Sequence, residues 1–134
     1  MRIVNLIIVL NQDKDQVLMC YRKKDPYKGL YNFVGGKVEE DEDHLEAAYR
    51  ELYEETNIAS DEIQIKPLFF SQYFEEGLEL QVYYGFLNQD VNLISEVNPL
   101  YWVDIDSDFS DTSKYAGDGN IAHMISVLKS WNHL

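Results

Sequence analysis

Only two stretches of this chain repeat their apolar residues at helical spacing, and the other apolar residues fall in short β-rich runs parted by turn residues. Residues 43–57 carry Leu45, Ala48, Tyr49, Leu52 and Thr56 within about 100° of a helical wheel. Residues 119–131 carry Ile121, Met124, Ile125, Leu128 and Trp131 at the same spacing. Residues 2–10, 16–22, 31–34, 62–74, 78–87 and 100–103 read as strands. NQDKD joins the first two strands, and EEG at 75–77 closes a later hairpin. Two or three strands, a helix, a hairpin, a strand and a helix imply an α/β chain, with a mixed sheet between helices. No linker or repeat interrupts residues 1–134, so one domain with one sizeable core is expected.

Composition narrows the functions open to such a chain. A formal net charge of −13 argues against a nucleic acid polymer or an anionic membrane as partner. The same field repels any polyanionic small molecule, unless a divalent cation or a local basic cluster reverses it at the site. Cys20 is the only cysteine, which excludes an internal disulfide and a cysteine-rich zinc site. Inside an apolar strand it reads as core. The apolar run at 3–10 is too short to span a bilayer and lacks a small-residue cleavage pattern, so a cytoplasmic protein is expected, monomer or homodimer.

The first helix places Glu51, Glu54 and Glu55 together near its own C-terminus. Carboxylates three or four residues apart repel one another, and there they also face the negative pole of the helix dipole. Each effect costs a few tenths of a kcal/mol, the reverse of what stability alone would select. An acidic solvated face is the plain alternative. Three oxygen donors on one arc beside the buried stripe suit a hard cation such as Mg²⁺ or Mn²⁺ better than zinc. Gly35-Gly36, ahead of the helix, lets the backbone turn sharply and offers a carbonyl to such an ion. Arg50 stands beside the acids, within helical reach of Glu46 and Glu54.

Gly36, Glu42 and then Arg50-Glu51-Leu52-Tyr53-Glu54-Glu55-Thr56-Asn57-Ile58 resemble the Nudix box, and only the final Gly departs, as Asn57. Asn is the next most tolerant residue for a left-handed helix cap. The resemblance implies an α/β/α sandwich and divalent-metal hydrolysis of a nucleoside diphosphate linked to another group. It implies Gly36, Glu54 and Glu55 as metal ligands and Glu51 as ligand or general base, with Arg50 supporting them and Glu42 and Glu46 outside them. Glu96, six residues before Trp102, resembles the loop carboxylate many members add.

Residues 17–42 resemble the MutT-type purine nucleoside triphosphate pyrophosphatases, including those that remove 8-oxo-dGTP, with Asn32 in the position of a base-contacting Asn. Release of nucleoside monophosphate and pyrophosphate is the reaction this implies. Nucleotide sugars, dinucleoside polyphosphates and a catalytically silent nucleotide-binding module stay open. Arg22, Lys23, Lys24, Lys28 and Lys37 are the one basic concentration, suited to a triphosphate. In KYAGDGN, Tyr115 is a candidate for base stacking, and Asp118 and Asn120 for its hydrogen-bonding edge. Asp118 and Asn120 have a rival role in capping the last helix.

Overall fold

The chain's most apolar run occupies the middle of a six-stranded sheet. The computed structural model describes residues 1–134. In order, the elements are β1 (Arg2–Leu10), β2 (Gln16–Tyr21), β3 (Tyr31–Asn32), α1 (His44–Thr56), β4 (Ile63–Tyr73), β5 (Leu78–Leu87), β6 (Leu100–Asp104) and α2 (Asn120–Asn132). The sheet runs β3-β2-β1-β5-β4, and β6 pairs with β2. β1 is parallel to β5 along its whole length, while the other ladders are antiparallel. The sheet is therefore mixed.

Alternation along β1 divides the core in two. Ile8 and Leu10 pack with Ile121, Met124, Ile125 and Leu128 of α2. Ile7 and Val9 pack on the opposite face with Ala48 and Leu52 of α1. A sheet between two helices is the α/β/α sandwich expected. Cys20 is buried, and burial pushes its thiol up to about 11.

β1 meets β2 only at Leu10↔Val17. Farther along, residues 34–38 take the place of β2 against the β1 edge through bridges Ile7↔Val34 and Val4↔Lys37. The backbone bonds are Ile7 N to the Val34 carbonyl at 2.8 Å, Asn5 N to the Gly36 carbonyl at 2.8 Å and Val38 N to the Ile3 carbonyl at 3.0 Å. This lays Gly35-Gly36 along the central strand, directly before α1. The extended segment expected at 31–34 thus splits into a two-residue strand and an isolated bridge.

α1 is capped at both ends, at Asn57 as its sequence predicts. Asp43 accepts from Glu46 N at 3.0 Å, and Asn57 takes the left-handed conformation at φ 69°. Two stripe residues differ from expectation. Leu45 is 42% exposed and Ala47 is buried in its stead, because the first turn of α1 lies over a shallow groove with Pro67 and Tyr83. Trp131 is 63% exposed, because burial in α2 ends with Leu128. Tyr49 is half-buried, and its hydroxyl accepts from Ile65 N at 3.0 Å. No helix is long and apolar enough to cross a membrane.

Leu128 and Trp131 are separated by one turn but differ in what they hold. Leu128→Ala should lower the unfolding free energy by about 2–5 kcal/mol, and Trp131→Ala should change it by about 0.5 kcal/mol or less, in denaturant titrations.

Candidate functional site

Arg50 organises the acids of α1. It donates to Glu42 twice, from Nε to Oε2 at 2.7 Å and from a terminal nitrogen to Oε1 at 2.9 Å. It also donates to Glu51 Oε1 at 3.0 Å, to Glu54 Oε2 at 3.2 Å and to the Lys37 carbonyl at 3.2 Å. One guanidinium therefore ties both ends of the helix's acidic side to the segment along β1. Glu46, the other partner expected, takes no part in an ion pair. The Arg50 bonds hold the Glu42 carboxyl down at about 2.

Glu51 is raised above the ordinary carboxylate range by burial, against the lowering effect of Arg50. Glu55 is pushed up to about 7, first by burial, with the Gly35 N–H opposing and Glu51 and Glu54 adding to the rise. These are not the freely solvated acids of an ordinary surface face.

The two glycines fit where no side chain would. A Cβ on Gly35 would collide with the Asn5 carbonyl oxygen, and Gly35 has φ +149°. A Cβ on Gly36 would occupy the place of the Glu51 carboxylate. Gly35 N donates to Glu55 Oε2 at 3.1 Å, and Gly36 N donates to Asn5 Oδ1 at 2.9 Å. The Gly36 carbonyl accepts from Asn5 N and keeps a second lone pair free.

Two recesses lie near this segment: a cleft lined by both glycines, and a smaller one joined to them through the bond from Gly35 N to Glu55. Glu54, Glu55 and Glu96 line one of about 220 Å³ with Cys20, Ser95 and Asn98, so the loop carboxylate does come to the acids of α1. The other is a cleft of about 600 Å³ in which Arg22, Asn32, Gly36, Lys37, Asp118 and Asn120 meet an apolar wall of Leu6, Phe33, Leu80, Ile121 and Met124. Of the five basic residues, Arg22 and Lys37 reach the cleft, whereas Lys23 lies over the Tyr21 ring. Asn32 Oδ1 accepts from Phe33 N at 2.8 Å, which fixes the amide and leaves its nitrogen as the group to offer the cleft.

Tyr115 is not available for stacking. It is 2% exposed, packed on Phe109 at 5.1 Å between ring centres and on Tyr31 at 6.2 Å. Its apolar neighbours made it core. Neither Asp118 nor Asn120 caps α2, whose N-cap is Gly119 with no side-chain bond. Their side chains are free to serve the cleft. Sequence reasoning passed over Asn5, whose signal was a lone amide inside IVNLIIVL, and Arg2, which also lines the cleft.

No three acidic, histidine or cysteine side chains stand together in ligating geometry. The donors nonetheless suit a hard cation, being carboxylate oxygens and a peptide carbonyl with a free lone pair. Glu54, half exposed, reaches its Arg50 contact by a single flexible side chain.

The NUDIX domain model matches residues 1–111, and the chain belongs to that family. An RNA pyrophosphohydrolase of Pelagibacter ubique (strain HTCC1062) is 42% identical over 57 residues, which is 42% of this chain and 35% of that relative's length. Among solved structures, MutT from the fish pathogen Aliivibrio salmonicida and Vibrio cholerae superposes with TM-score 0.71 at 21% identity, covering 96% of this chain and 98% of the other. A C. elegans Ap4A hydrolase in a binary complex superposes with TM-score 0.74 at 16% identity, covering 97% and 98%. These likenesses show a shared fold over nearly the whole chain.

The raised Glu55 sets a pH dependence. Its folded-state value of about 7 lies above the ordinary 4.5, so the stability it contributes is present below pH 4.5 and lost as pH rises through 7. In chelator, the melting temperature should fall more steeply between pH 5 and 8 for the wild type than for Glu55→Gln, which keeps an acceptor for Gly35 N. Parallel curves would contradict this environment for Glu55.

Proposed function

We propose that the protein is a Nudix hydrolase that cleaves the diphosphate linkage of a nucleoside triphosphate, releasing nucleoside monophosphate and pyrophosphate, with Mg²⁺ as its ion and Mn²⁺ as a substitute. The observation that carries this reading is the bond from Gly35, in the wall of an apolar cleft edged by polar groups, to Glu55 in the wall of an acidic recess. The nucleoside occupies the cleft, and the diphosphate crosses the glycines towards Glu51, Glu54, Glu55 and Glu96.

Glu54, Glu55, Glu96 and the Gly36 carbonyl hold the ion in this reading. When bound, such an ion neutralises phosphate oxygens and lowers the pKa of a coordinated water. Glu51 takes the proton of the attacking water, a role suited to a half-buried carboxylate with a raised pKa. Arg50 does not touch the substrate; it keeps Glu51 and Glu54 aimed and partly offsets their repulsion. Arg22 and Lys37 meet the phosphates, the local positive charge that a chain of net −13 needs for a polyanion.

The polarity of the cleft supports a purine, and in the most specific form an oxidised guanine such as that of 8-oxo-dGTP. Asn32 offers an N–H and Asp118 a carboxylate. Guanine sets an acceptor, O6, beside a donor, N1–H, and so complements that pair, whereas adenine presents the two in reverse. The Pelagibacter relative suggests a second substrate, an RNA 5′ end, and the acidic surface opposes a polymer there.

Pyrophosphate and phosphate release across a panel of purine, oxidised purine and pyrimidine triphosphates, nucleotide sugars and dinucleoside polyphosphates tests the proposal. Purine triphosphates should lead and yield pyrophosphate; a preference for a nucleotide sugar or dinucleoside polyphosphate would overturn the substrate assignment. Glu54→Gln and Glu55→Gln should each lower kcat by about 10²-fold or more while folding normally, and wild-type turnover in both would remove the metal assignment. Asn32→Ala should bring purine and pyrimidine rates closer together, through KM more than kcat.

A further inference from the structure

Asn5 is an amide at a fully buried position of the central strand, where Ile7 and Val9 occupy the same face. Asn is a poor strand former, and a buried amide is costly unless its groups are met. Its lateral neighbour on β5, Gln81, is equally buried, yet that amide is partnered by His44, Glu79 and Tyr83. Asn5 is different: its Nδ2 is the one buried side-chain polar atom of the protein without a partner. The side chain is turned so that Oδ1 reaches Gly36 N, and its own nitrogen goes unmet.

What that orientation achieves is local to Gly36. In a regular antiparallel pair, Gly36 N would bond the backbone carbonyl of Asn5. Here the Gly35 conformation turns that N–H out of the ladder, and the side-chain Oδ1 receives it. Asn5 N meanwhile donates to the Gly36 carbonyl at 2.8 Å. One residue thus holds Gly36 by the peptide groups on both of its sides, fixing where the free lone pair of its carbonyl points.

We propose that Asn5 is a positioning residue for the metal end of the site, acting through Gly36: its side chain fixes the glycine so that the carbonyl and the Glu51 carboxylate, packed against the Gly36 α-carbon, present a set geometry to a divalent cation. This rests on the reading of Gly36 and the glutamates as the metal-holding group. Asn5, fully buried in the wall of the cleft, acts through Gly36 and not by ligating the cation. Its Oδ1 is the functional atom, and the unmet Nδ2 is the consequence of aiming it.

Asn5→Thr and Asn5→Val make the test. Both are β-branched and of one shape, and the threonine alone keeps an oxygen able to accept from Gly36 N. Mn²⁺ affinity of the nucleotide-free protein, read from the paramagnetic resonance of free Mn²⁺, should fall about 10–100-fold for Asn5→Val, as for loss of other groups that orient metal ligands. Asn5→Thr should retain most of the affinity, and the Val variant should lose kcat with KM little changed and melt no lower than Thr. Equal Mn²⁺ affinities in the two variants, with the wild type binding normally, overturn the proposal alone. A Val variant that does not fold also overturns it, since Asn5 would then be structural. A wild type that takes up no Mn²⁺ overturns the metal reading itself.

Discussion

Everything at the candidate site depends on a close passage: Gly35-Gly36 threads between the central strand and the acidic side of α1 with no volume for a side chain. At Gly35 the obstacle is the backbone oxygen of Asn5, and at Gly36 it is the carboxylate of Glu51. Because both neighbours are this near, the peptide groups of the segment find partners on either side of it, Glu55 and Asn5. The glycines line the cleft, and through Glu55 they are bonded to the wall of the acidic recess.

The second constraint is charge. Glu42, Glu51, Glu54 and Glu55 are gathered on and around one helix in an already acidic protein, and Arg50 is the one cation bonded to three of them. Its strongest attachment, the paired bond to Glu42, anchors the guanidinium. Its weaker contacts reach Glu51 and Glu54. Glu55 is left outside this network, bonded by a peptide N–H, and burial pushes its carboxyl up to about 7. The helix thus carries repulsion that no neighbouring side chain fully neutralises, the condition under which a divalent ion gains most from binding.

The succession of strands along the chain, both helices, the Asn57 cap and the acid row were legible in the sequence because each rests on local chemistry: apolar spacing, and an amide at a left-handed helix end. What was not legible depends on where an element stops facing the sheet. Leu45 and Trp131 satisfy the helical period but lie on turns that reach beyond a packed layer. Tyr115 has the chemistry of a stacking residue, and only the tertiary packing of Phe109 and Tyr31 around it shows that the ring is enclosed. Asn5 was concealed by its setting in an apolar run, since its importance comes from Gly36, 31 residues away.

The parallel pairing of β1 with β5 bears on how the chain reaches this state. The hairpins β1–β2 and β4–β5 join near neighbours and close small loops, but the β1–β5 ladder brings residues 2–10 against 78–86 and closes a loop containing α1 and the glycines. The surface that receives Gly35-Gly36 is therefore finished only when distant parts of the chain have met. Closing that long loop costs more chain entropy than closing either short one, so the site depends on the β1–β5 ladder and cannot be completed by local pairing alone.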